Sequence, residues 1–339
     1  MPGNILTDSK GRPVRYIRVS VTDRCNLRCR YCAPSAEFVS LLHSQVLSYE
    51  EIERVAAILA PFGVTSVRLT GGEPLVRKHI DRLIGSLART SGIEDLSLTT
   101  NGILLAEHAR ALKEAGLLRV NVSLDSLKPD RFRWITNSPD KRRKENLGSV
   151  LEGLEEAQRV GLAPVKVNVV LMRGLNDDEV GDFVDLTREG NLEVRFIEFM
   201  PMGPNGFWNR DRVVPADEVI GRIMKSHPGL EHVGKSKGSG PAVLHRIPGH
   251  RGSIGFITPV SSHFCAHCNR VRLTADGKLR TCLFSDTETD LLPLIRGGAS
   301  DEQILGTIRQ ALLQKPDGHR ISARGALAAC ARTMSHIGG

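Results

Sequence analysis

Six of the seven cysteines fall into two compact groups of three that lie in distant parts of the 339-residue chain. Zinc ribbons and iron–sulfur clusters usually take four thiolates, so a group of three leaves one coordination position open. An open position is where a substrate or cofactor can bind. The spacing therefore favours two reactive metal centres over a framework of disulfides. The two groups are Cys25, Cys29 and Cys32, and then Cys265, Cys268 and Cys282.

The first group directly follows a predicted strand, in the run CNLRCRYC at 25–32. Three thiolates at these spacings can hold three irons of a cubic cluster and leave the fourth iron free to bind a ligand. The alternative is a zinc knuckle with a distant fourth ligand, and His267 in the second group could complete a structural zinc site there. The Gly-Gly-Glu-Pro run at 71–74 follows the next predicted strand, where glycines allow a small ligand to approach the backbone closely.

Short β-rich runs alternate with helical patterns from about residue 15 to residue 200, which predicts βα units on a parallel sheet, either open or closed into part of a barrel. Six such units are fewer than an eightfold barrel needs. Ser48 with Glu51, and Asn176 with Glu179, predict capping signals at two helix starts. The predicted strands are 15–21, 65–70, 95–100, 118–124, 165–171 and 193–199, and the predicted helices are 49–60, 78–90, 105–115, 145–160 and 177–187.

Within five of these strands, aliphatic residues alternate with polar ones, so one face of the sheet is apolar and the other is polar and partly cationic. A parallel sheet that is covered by helices on both faces is apolar on both. The polar face therefore predicts the wet lumen of an incomplete barrel, whose cations would suit a polyanion. An open sheet with one solvated face is the alternative. The polar side includes Arg18, Arg68, Thr99, Arg119, Asn121, Ser123, Lys166 and Asn168.

The stretch 201–215 is rich in Pro, Gly and Asn, which predicts a boundary between a first domain at 1–200 and a second at 201–339. Helices are predicted at 216–226, 301–314 and 322–332, around a loop-rich segment and the second cysteine group. Cys330 belongs to neither group, and we expect it to be buried as a small hydrophobic residue in the last helix.

The run FCAHCNRVRLTADGKLRTCLF at 264–284 closely resembles the C-terminal cluster motif of the GTP 3′,8-cyclase family of radical S-adenosylmethionine (SAM) enzymes. The cysteine run at 25–32 and the turn at 71–74 resemble that superfamily, and the match extends to RFIEFMP at 195–201, TTNG at 99–102 and the terminal glycines. The resemblance covers essentially the whole chain. It implies an α/β fold, namely a partial (β/α)6 radical SAM barrel with a C-terminal α+β extension that carries a second Fe–S cluster.

The resemblance also implies the reaction. In the family, reductive cleavage of SAM gives a radical that takes the 3′ hydrogen of GTP ribose, and the sugar radical then adds to carbon 8 of guanine. The product is (8S)-3′,8-cyclo-7,8-dihydroguanosine 5′-triphosphate, formed in the first step of molybdenum cofactor biosynthesis. Such a lyase implies two [4Fe–4S] clusters, SAM, GTP, an electron donor, a homodimer and a cyclic pyranopterin monophosphate synthase that receives the product.

Residue roles are implied where positions match the family's motifs. The six grouped cysteines match cluster ligands, and the second cluster binds guanine at its open iron in the family. Gly338 and Gly339 match a terminal peptide that inserts toward the active site and is needed for turnover. The positions that match SAM contacts are Tyr31, Gly72, Ser123 and Met200, and those that match GTP contacts are Arg18, Arg68, Thr99, Lys166, Arg270, Val271 and Arg272.

Charge and composition narrow the class of protein. With 46 Lys and Arg against 38 Asp and Glu, the formal charge of +8 is compatible with an anionic partner. Only 3 Tyr and 2 Trp are present, too few to favour a stacking platform for single-stranded nucleic acid. Since no signal peptide or membrane-spanning run is evident, we expect a cytoplasmic protein with no membrane partner.

Two other functions are compatible with parts of the pattern. A peptide-maturing radical SAM enzyme with an auxiliary cluster is the first, although its extensions usually need more cysteines than the second group offers. A zinc-ribbon protein that binds nucleic acid without catalysis is the second, although it would need neither the turn at 71–74 nor a polar lumen.

Overall fold

The computed structural model describes residues 5–32, 40–137, 146–202, 206–235, 240–319, 330 and 332–338. Six parallel strands form the centre of one sheet, and helices connect them. The strands are β1 (Tyr16–Ser20), β2 (Ser66–Thr70), β3 (Asp95–Thr100), β4 (Arg119–Ser123), β5 (Val165–Leu171) and β6 (Leu192–Glu198). The helices are α1 (Tyr49–Leu59), α2 (Ile80–Arg89), α3 (Leu105–Glu114), α4 (Pro129–Thr136), α5 (Asn146–Arg159) and α6 (Val180–Glu189). All six predicted strands and the five predicted helices of this region are confirmed.

The C-terminal part adds shorter elements. Its helices are α7 (Ala216–Ser226), α8 (Leu292–Arg296), α9 (Asp301–Leu313) and α10 (Met334–Ile337). Its strands are β7 (Glu231–Lys235), β8 (Val243–Arg246), β9 (Ser253–Ile257), β10 (Arg270–Leu273), β11 (Lys278–Arg280) and β12 (Thr289–Asp290). The helices predicted at 216–226 and 301–314 are confirmed. Most of the helix predicted at 322–332 lies outside the described residues.

The C-terminal strands extend the central sheet at both edges. The strand order is β12-β11-β10-β1-β2-β3-β4-β5-β6-β9-β8-β7. Strand β10 pairs in parallel with β1, and β9 pairs in parallel with β6. The fold is therefore the expected partial barrel with a C-terminal extension, but the extension supplies strands on both sides of the barrel. Because the sheet runs on past residue 200, the division into two domains there stays a prediction.

The two faces of the sheet differ as the alternation predicts. Val19, Val67, Leu98 and Val122 are buried with the apolar faces of the surrounding helices in one continuous core. Burying this aliphatic face is the main source of stability for the barrel. The polar residues point to the opposite side, where the helices do not cover them.

Two local predictions about helix starts had different outcomes. Ser48 and Glu51 form the expected capping box, in which the Ser48 hydroxyl accepts from the Glu51 N–H and the Glu51 carboxylate accepts from the Ser48 N–H. The prediction for Asn176 is wrong, because its carboxamide accepts from the Met172 N–H at 2.8 Å and donates to the Asp125 carbonyl at 2.7 Å. These buried contacts with other loops replace the local cap.

The environment predicted for Cys330 is partly wrong. Cys330 is buried, as expected, but it forms an isolated parallel bridge with Met202 and does not lie in a helix. Its Sγ accepts from Arg280 Nη2 at 3.1 Å and donates to Asp286 Oδ1 at 3.2 Å. Its surroundings are therefore partly polar, so it is not a purely hydrophobic filler. Among the described residues, no helix combines the length and apolar character that a membrane crossing requires.

Candidate active site

The polar face of the barrel lines a cavity of about 240 Å³. Side chains from the carboxyl halves of neighbouring strands reach it, and the first cysteine group closes one end. The lumen predicted from strand alternation is therefore present. Its lining from the strands includes Arg18, Arg68, Thr70, Thr99, Asn121, Ser123, Asn168 and Arg195.

The first cysteine group lies on the loop that follows β1, and Cys25, Cys29 and Cys32 all line the cavity. The loop turns tightly, since the Cys32 N–H donates to the Cys29 carbonyl at 3.0 Å. Helix α4 fixes its outer side: the N–H groups of Arg28 and Arg30 donate to carbonyls at the end of that helix, at 3.0 and 2.9 Å. The sequence analysis did not predict α4, although Pro129 at its first turn is a common start signal.

The two glycines at 71 and 72 hold the cysteine loop in place. The Gly72 N–H donates to the Thr22 carbonyl at 2.7 Å, and the next N–H, that of Glu73, donates to the Arg24 carbonyl at 2.8 Å. A Cβ on Gly72 would lie 2.4 Å from the Arg24 carbonyl oxygen. The backbone of the cysteine loop therefore packs so closely on residue 72 that only glycine fits there. Gly72 also lines the cavity, so a ligand could approach its backbone closely as well.

Glu73 joins the ends of β2 and β3 beneath the cysteine loop. Its buried carboxylate accepts from the Thr100 hydroxyl and the Asn101 N–H, both at 2.7 Å. Burial raises the pKa of Glu73 to about 7, although these hydrogen bonds oppose the shift. Asn101 in turn donates to Asn26 Oδ1 at 2.7 Å, so the motifs at 71–74 and 99–102 are both bonded to the cysteine loop.

Tyr31 and Asp125 form a buried pair on the cavity wall. The Tyr31 hydroxyl donates to Asp125 Oδ2 at 2.6 Å, and the Val170 N–H donates to Asp125 Oδ1 at 2.9 Å. Burial raises the pKa of Asp125 to about 6. The sequence analysis missed Asp125, whose signal was a carboxylate immediately beyond the end of a strand with an inward polar face.

The thiols of the first group are held in a dry environment. Burial raises the pKa of Cys25 to about 11 and that of Cys32 to about 12. The pKa of Cys29 is raised well above its usual range, by burial and then by the neighbouring thiols and Asp125. Negative groups nearby therefore disfavour free thiolates, and a positively charged metal centre would relieve this.

The second cysteine group lines an adjoining cavity of about 80 Å³. Cys268 stands just before β10 and Cys282 just after β11, so the β10–β11 hairpin brings them together. The two cavities share the lining residues Met200, Phe264, Arg270 and Arg272. The two cysteine groups therefore line neighbouring cavities that share part of their walls.

Cations surround the second group. Arg12 donates to the Cys265 carbonyl at 2.9 Å, and the Lys315 ammonium donates to the carbonyls of Cys268 and Arg270 at 3.2 and 2.7 Å. Burial alone would raise the pKa of Cys268, but Arg270 and Lys315 outweigh it, and that pKa is lowered. At Cys268 this cationic environment favours the thiolate, whereas burial raises the pKa of Cys282, and the cations as a set favour an anionic guest.

The donor sets suit clusters better than single ions. In the part of the chain that the structure describes, no three Cys, His, Asp or Glu side chains converge as ligands of one metal ion. Each cysteine group instead lines the wall of a cavity, as ligands of separate irons in a cluster would. His267 is exposed and does not line the cavity of the second group, so a zinc site completed by His267 finds no support.

The residues predicted to contact GTP differ in their position relative to the cavity. Arg18, Arg68, Thr99, Arg270 and Arg272 line the cavity. Lys166 is buried beside them, 3.5 Å from Glu193, and burial followed by repulsion from Arg195 lowers its pKa to about 7. The Val271 side chain packs in the hydrophobic core, which leaves its backbone for any contact with a nucleotide.

The candidate SAM residues Tyr31, Gly72, Ser123 and Met200 all line the same cavity.

The two lumen residues without a predicted role differ in their surroundings. Arg119 is engaged by Asp95, whose carboxylate accepts from Arg119 Nη2 at 2.6 Å, whereas Asn168 lines the cavity.

The C-terminal tail reaches the ends of β1 and β2. The Gly338 N–H donates to the Met334 carbonyl at 2.9 Å, and the Gly338 carbonyl accepts from Arg272. Its φ of +84° and the 2.4 Å that would separate a Cβ from Thr70 Oγ1 both require glycine. Gly339 lies outside the described residues.

Comparisons with known proteins agree with these features. Residues 19–187 match the radical SAM superfamily, and residues 192–321 match the domain described as Molybdenum Cofactor Synthesis C. The chain is 47% identical over 334 residues to the GTP 3′,8-cyclase of Moorella thermoacetica, covering 98% of this chain and 100% of that protein. It is 46% identical over 335 residues to the GTP 3′,8-cyclase of Thermodesulfovibrio yellowstonii, with the same coverage.

Among solved structures, Streptococcus suis SuiB bound to S-adenosylmethionine has the same fold. Its TM-score with this chain is 0.60 at 14% identity, over 92% of this chain and 76% of SuiB. At this level of identity the likeness concerns the fold alone.

Proposed function

This chain belongs to the GTP 3′,8-cyclase family of radical SAM enzymes, and we propose that its two cysteine groups divide the reaction between them. The reaction converts GTP to (8S)-3′,8-cyclo-7,8-dihydroguanosine 5′-triphosphate, the first step of molybdenum cofactor biosynthesis. The first group forms the binding site for SAM, and the second forms the binding site for GTP. The observation that carries this proposal is that each group lines one of two neighbouring cavities with a shared wall, since Met200, Phe264, Arg270 and Arg272 belong to both linings.

At the first site, Cys25, Cys29 and Cys32 would hold a [4Fe–4S] cluster with three thiolates, which leaves one iron available to bind SAM. A cluster and SAM bound there supply, on reduction, the carbon radical that removes the 3′ hydrogen of the substrate. Tyr31, held by Asp125, and Gly72, without a side chain, shape the wall against the cofactor. The cofactor contacts proposed here are Tyr31, Gly72, Ser123 and Met200.

At the second site, Cys265, Cys268 and Cys282 hold a second [4Fe–4S] cluster beside the guanine. The arginines on the shared wall neutralise the triphosphate, and each charge-assisted hydrogen bond of this type contributes about 1.5–3 kcal/mol. The substrate contacts proposed here are Arg18, Arg68, Thr99, Lys166, Arg270, Arg272 and the backbone of Val271.

The tail completes the site between the two groups. On the barrel side, Ser20 and Thr70 leave no room for a Cβ at Gly338, and its carbonyl accepts a hydrogen bond from Arg272. We therefore assign Gly338 and Gly339 a role in turnover, in which Gly338 fixes Arg272 beside the substrate. An electron donor, a homodimer, a cytoplasmic location and transfer of product to a cyclic pyranopterin monophosphate synthase belong to the same proposal.

The proposal is tested with the anaerobically reconstituted chain, GTP, SAM and dithionite. The expected products are 5′-deoxyadenosine and an isomer of GTP, identified by chromatography and mass. Deoxyadenosine without altered GTP would support the radical chemistry but show that GTP is not the substrate. The peptide-maturing alternative would then be favoured. Neither product, with about eight irons per chain present, would contradict the assignment.

A further inference from the structure

Asn121 is a buried polar residue on the cavity wall that has no role so far. It lies in the middle of β4, is 0% exposed, and lines the 240 Å³ cavity. Within the part of the chain that the structure describes, neither its Oδ1 nor its Nδ2 has a hydrogen-bond partner. Burying a whole carboxamide without partners destabilises a protein, so a group of this kind points to a partner that arrives with a ligand.

The strand register places Asn121 between two proposed substrate contacts. Thr99 is its partner on β3, and Lys166 is its partner on β5. Neighbouring strands lie about 4.8 Å apart, so inward side chains at paired positions form one row across the wall. Thr99 and Asn121 both line the cavity, so a nucleotide held by Thr99 would lie next to Asn121. Ser123, a proposed SAM contact, lies two residues further along the same strand.

The hydrogen-bonding properties of a carboxamide indicate which part of a nucleotide Asn121 would contact. A phosphate oxygen only accepts, so it would satisfy Nδ2 and leave the Oδ1 lone pairs facing negative charge. A hydroxyl both donates and accepts, and can satisfy either end of the amide. Five arginines line the cavity, and four of them, Arg18, Arg68, Arg270 and Arg272, are proposed substrate contacts, so the neutral amide is suited to the uncharged sugar.

We propose that Asn121 is a substrate-positioning residue whose carboxamide hydrogen bonds a ribose hydroxyl of a nucleoside bound in the cavity. The inference rests on the proposed function, in which GTP and SAM share this space. Both ligands carry a ribose, and the position between Thr99 and Lys166 favours that of GTP. Holding the sugar there would orient its 3′ carbon for hydrogen removal, where small misplacements are costly.

The test measures binding by anaerobic calorimetry, without reductant, to the reconstituted wild type and to Asn121→Leu. Leucine has a similar size but no polar atoms. The probes are GTP, 2′-deoxy-GTP, 3′-deoxy-GTP and SAM. We expect the variant to bind GTP about tenfold more weakly, with a smaller loss for whichever deoxy analogue lacks the contacted hydroxyl. Asn209→Ala, which removes an exposed asparagine, is the matched control.

The unfolding temperature separates a ligand contact from a structural role. If Asn121 is present for a ligand, Asn121→Leu raises the unfolding temperature of the nucleotide-free protein, since an unpaired amide is replaced by a hydrocarbon. A fall in both unfolding temperature and GTP affinity would overturn the proposal. Asn121→Ser, which is smaller and still polar, provides the binding data if the leucine variant does not fold.

The binding pattern identifies the source of the hydroxyl. A loss confined to SAM would assign the contact to the cofactor ribose and overturn the role in substrate positioning. An equal loss for GTP and both deoxy analogues, or no loss for any probe, would overturn it. If wild-type protein fails to bind GTP at all, the proposed function has failed, which is a different result from a failure at Asn121.

Discussion

The two cysteine groups have different electrostatic surroundings. Around the first group stand the buried carboxyl groups of Glu73 and Asp125, and burial raises the thiol pKa values of Cys25 and Cys32 to about 11 and about 12. Around the second group stand Arg270 and Lys315, and the pKa of Cys268 is lowered despite burial. The difference matches the proposed guests, because SAM carries a positive sulfonium and GTP carries a polyphosphate.

The groups also differ in how the fold supports them. The first is one continuous loop, which rests on the ends of β2 and β3 and on helix α4. The second is assembled from residues on either side of a hairpin and is fixed by Arg12 and Lys315 from distant segments. Backbone packing positions the first group, and side-chain charges position the second. Substitutions in the backbone-packed loop and in the charged side chains should therefore affect different cysteine groups.

The largest effect is expected from Gly72→Ala. The new Cβ would lie 2.4 Å from the Arg24 carbonyl oxygen and 2.7 Å from that of Asp23, so the cysteine loop must move. We expect about four irons per chain instead of about eight, with the second cluster retained and product formation lost. Iron and sulfide analysis measures this. Gly221→Ala in α7, where no atom lies within 4 Å, is the control, and full iron in Gly72→Ala would contradict the account.

Gly338→Ala tests the tail, which joins the two regions. Its Cβ would lie 2.4 Å from Thr70 Oγ1 and 2.9 Å from Ser20 Cβ, so the tail is displaced while both cysteine groups keep their supports. We expect unchanged iron, continued release of 5′-deoxyadenosine, and a fall of about hundredfold in cyclised product. Gly306→Ala on α9 has open space and serves as control. Unchanged turnover would remove the tail from the mechanism.

Lys315→Met tests the support of the second group by charge. The change removes the donor to the carbonyls of Cys268 and Arg270 and also removes a cation that lowers the pKa of Cys268. We expect GTP to bind about tenfold more weakly and iron to leave the second site faster under a chelator. Lys113→Met removes a similar bond, to the exposed Gly161 carbonyl, and is the control. Equal iron loss from both sites would argue against separate supports.

The smallest effect concerns pH. Burial, followed by repulsion from Arg195, lowers the pKa of Lys166 to about 7, so its charge is lost as the pH rises through that value. Only the charged form binds phosphate, and we expect GTP affinity to fall by about tenfold between about pH 6 and about pH 8. In Lys166→Arg the guanidinium stays charged, so the fall should flatten. Parallel pH profiles for the two proteins would show that Lys166 does not bind the triphosphate.

The sequence predicted the barrel well because its signals are local. Alternation such as Val120, Asn121, Val122 and Ser123 identifies both the strand and its two faces, and the cysteine spacings predict two metal centres. What the sequence did not predict depends on contacts between distant segments. Strands β9 and β10 are short and lie among loops, and each is stabilised by pairing with a barrel strand far away in the chain.

The same distinction holds within the candidate site. The glycines at 71–72 were predicted to admit a ligand, but their packing against the backbone of the cysteine loop depends on the assembled fold. Asn176 has the residue type of a helix cap, yet buried bonds to Met172 and Asp125 determine its position. The hydrogen bond from Tyr31 to Asp125 likewise joins two loops that only the sheet brings together.

The division of labour between the two cysteine groups is tested most directly by crossed binding measurements. Anaerobic calorimetry with SAM and with GTP would be made on Cys29→Ala and on Cys268→Ala, each reconstituted so that the other cluster remains. The account predicts that Cys29→Ala loses SAM binding and keeps GTP binding, whereas Cys268→Ala loses GTP binding and keeps SAM binding. Loss of the same ligand in both variants, with the remaining cluster intact, would contradict it.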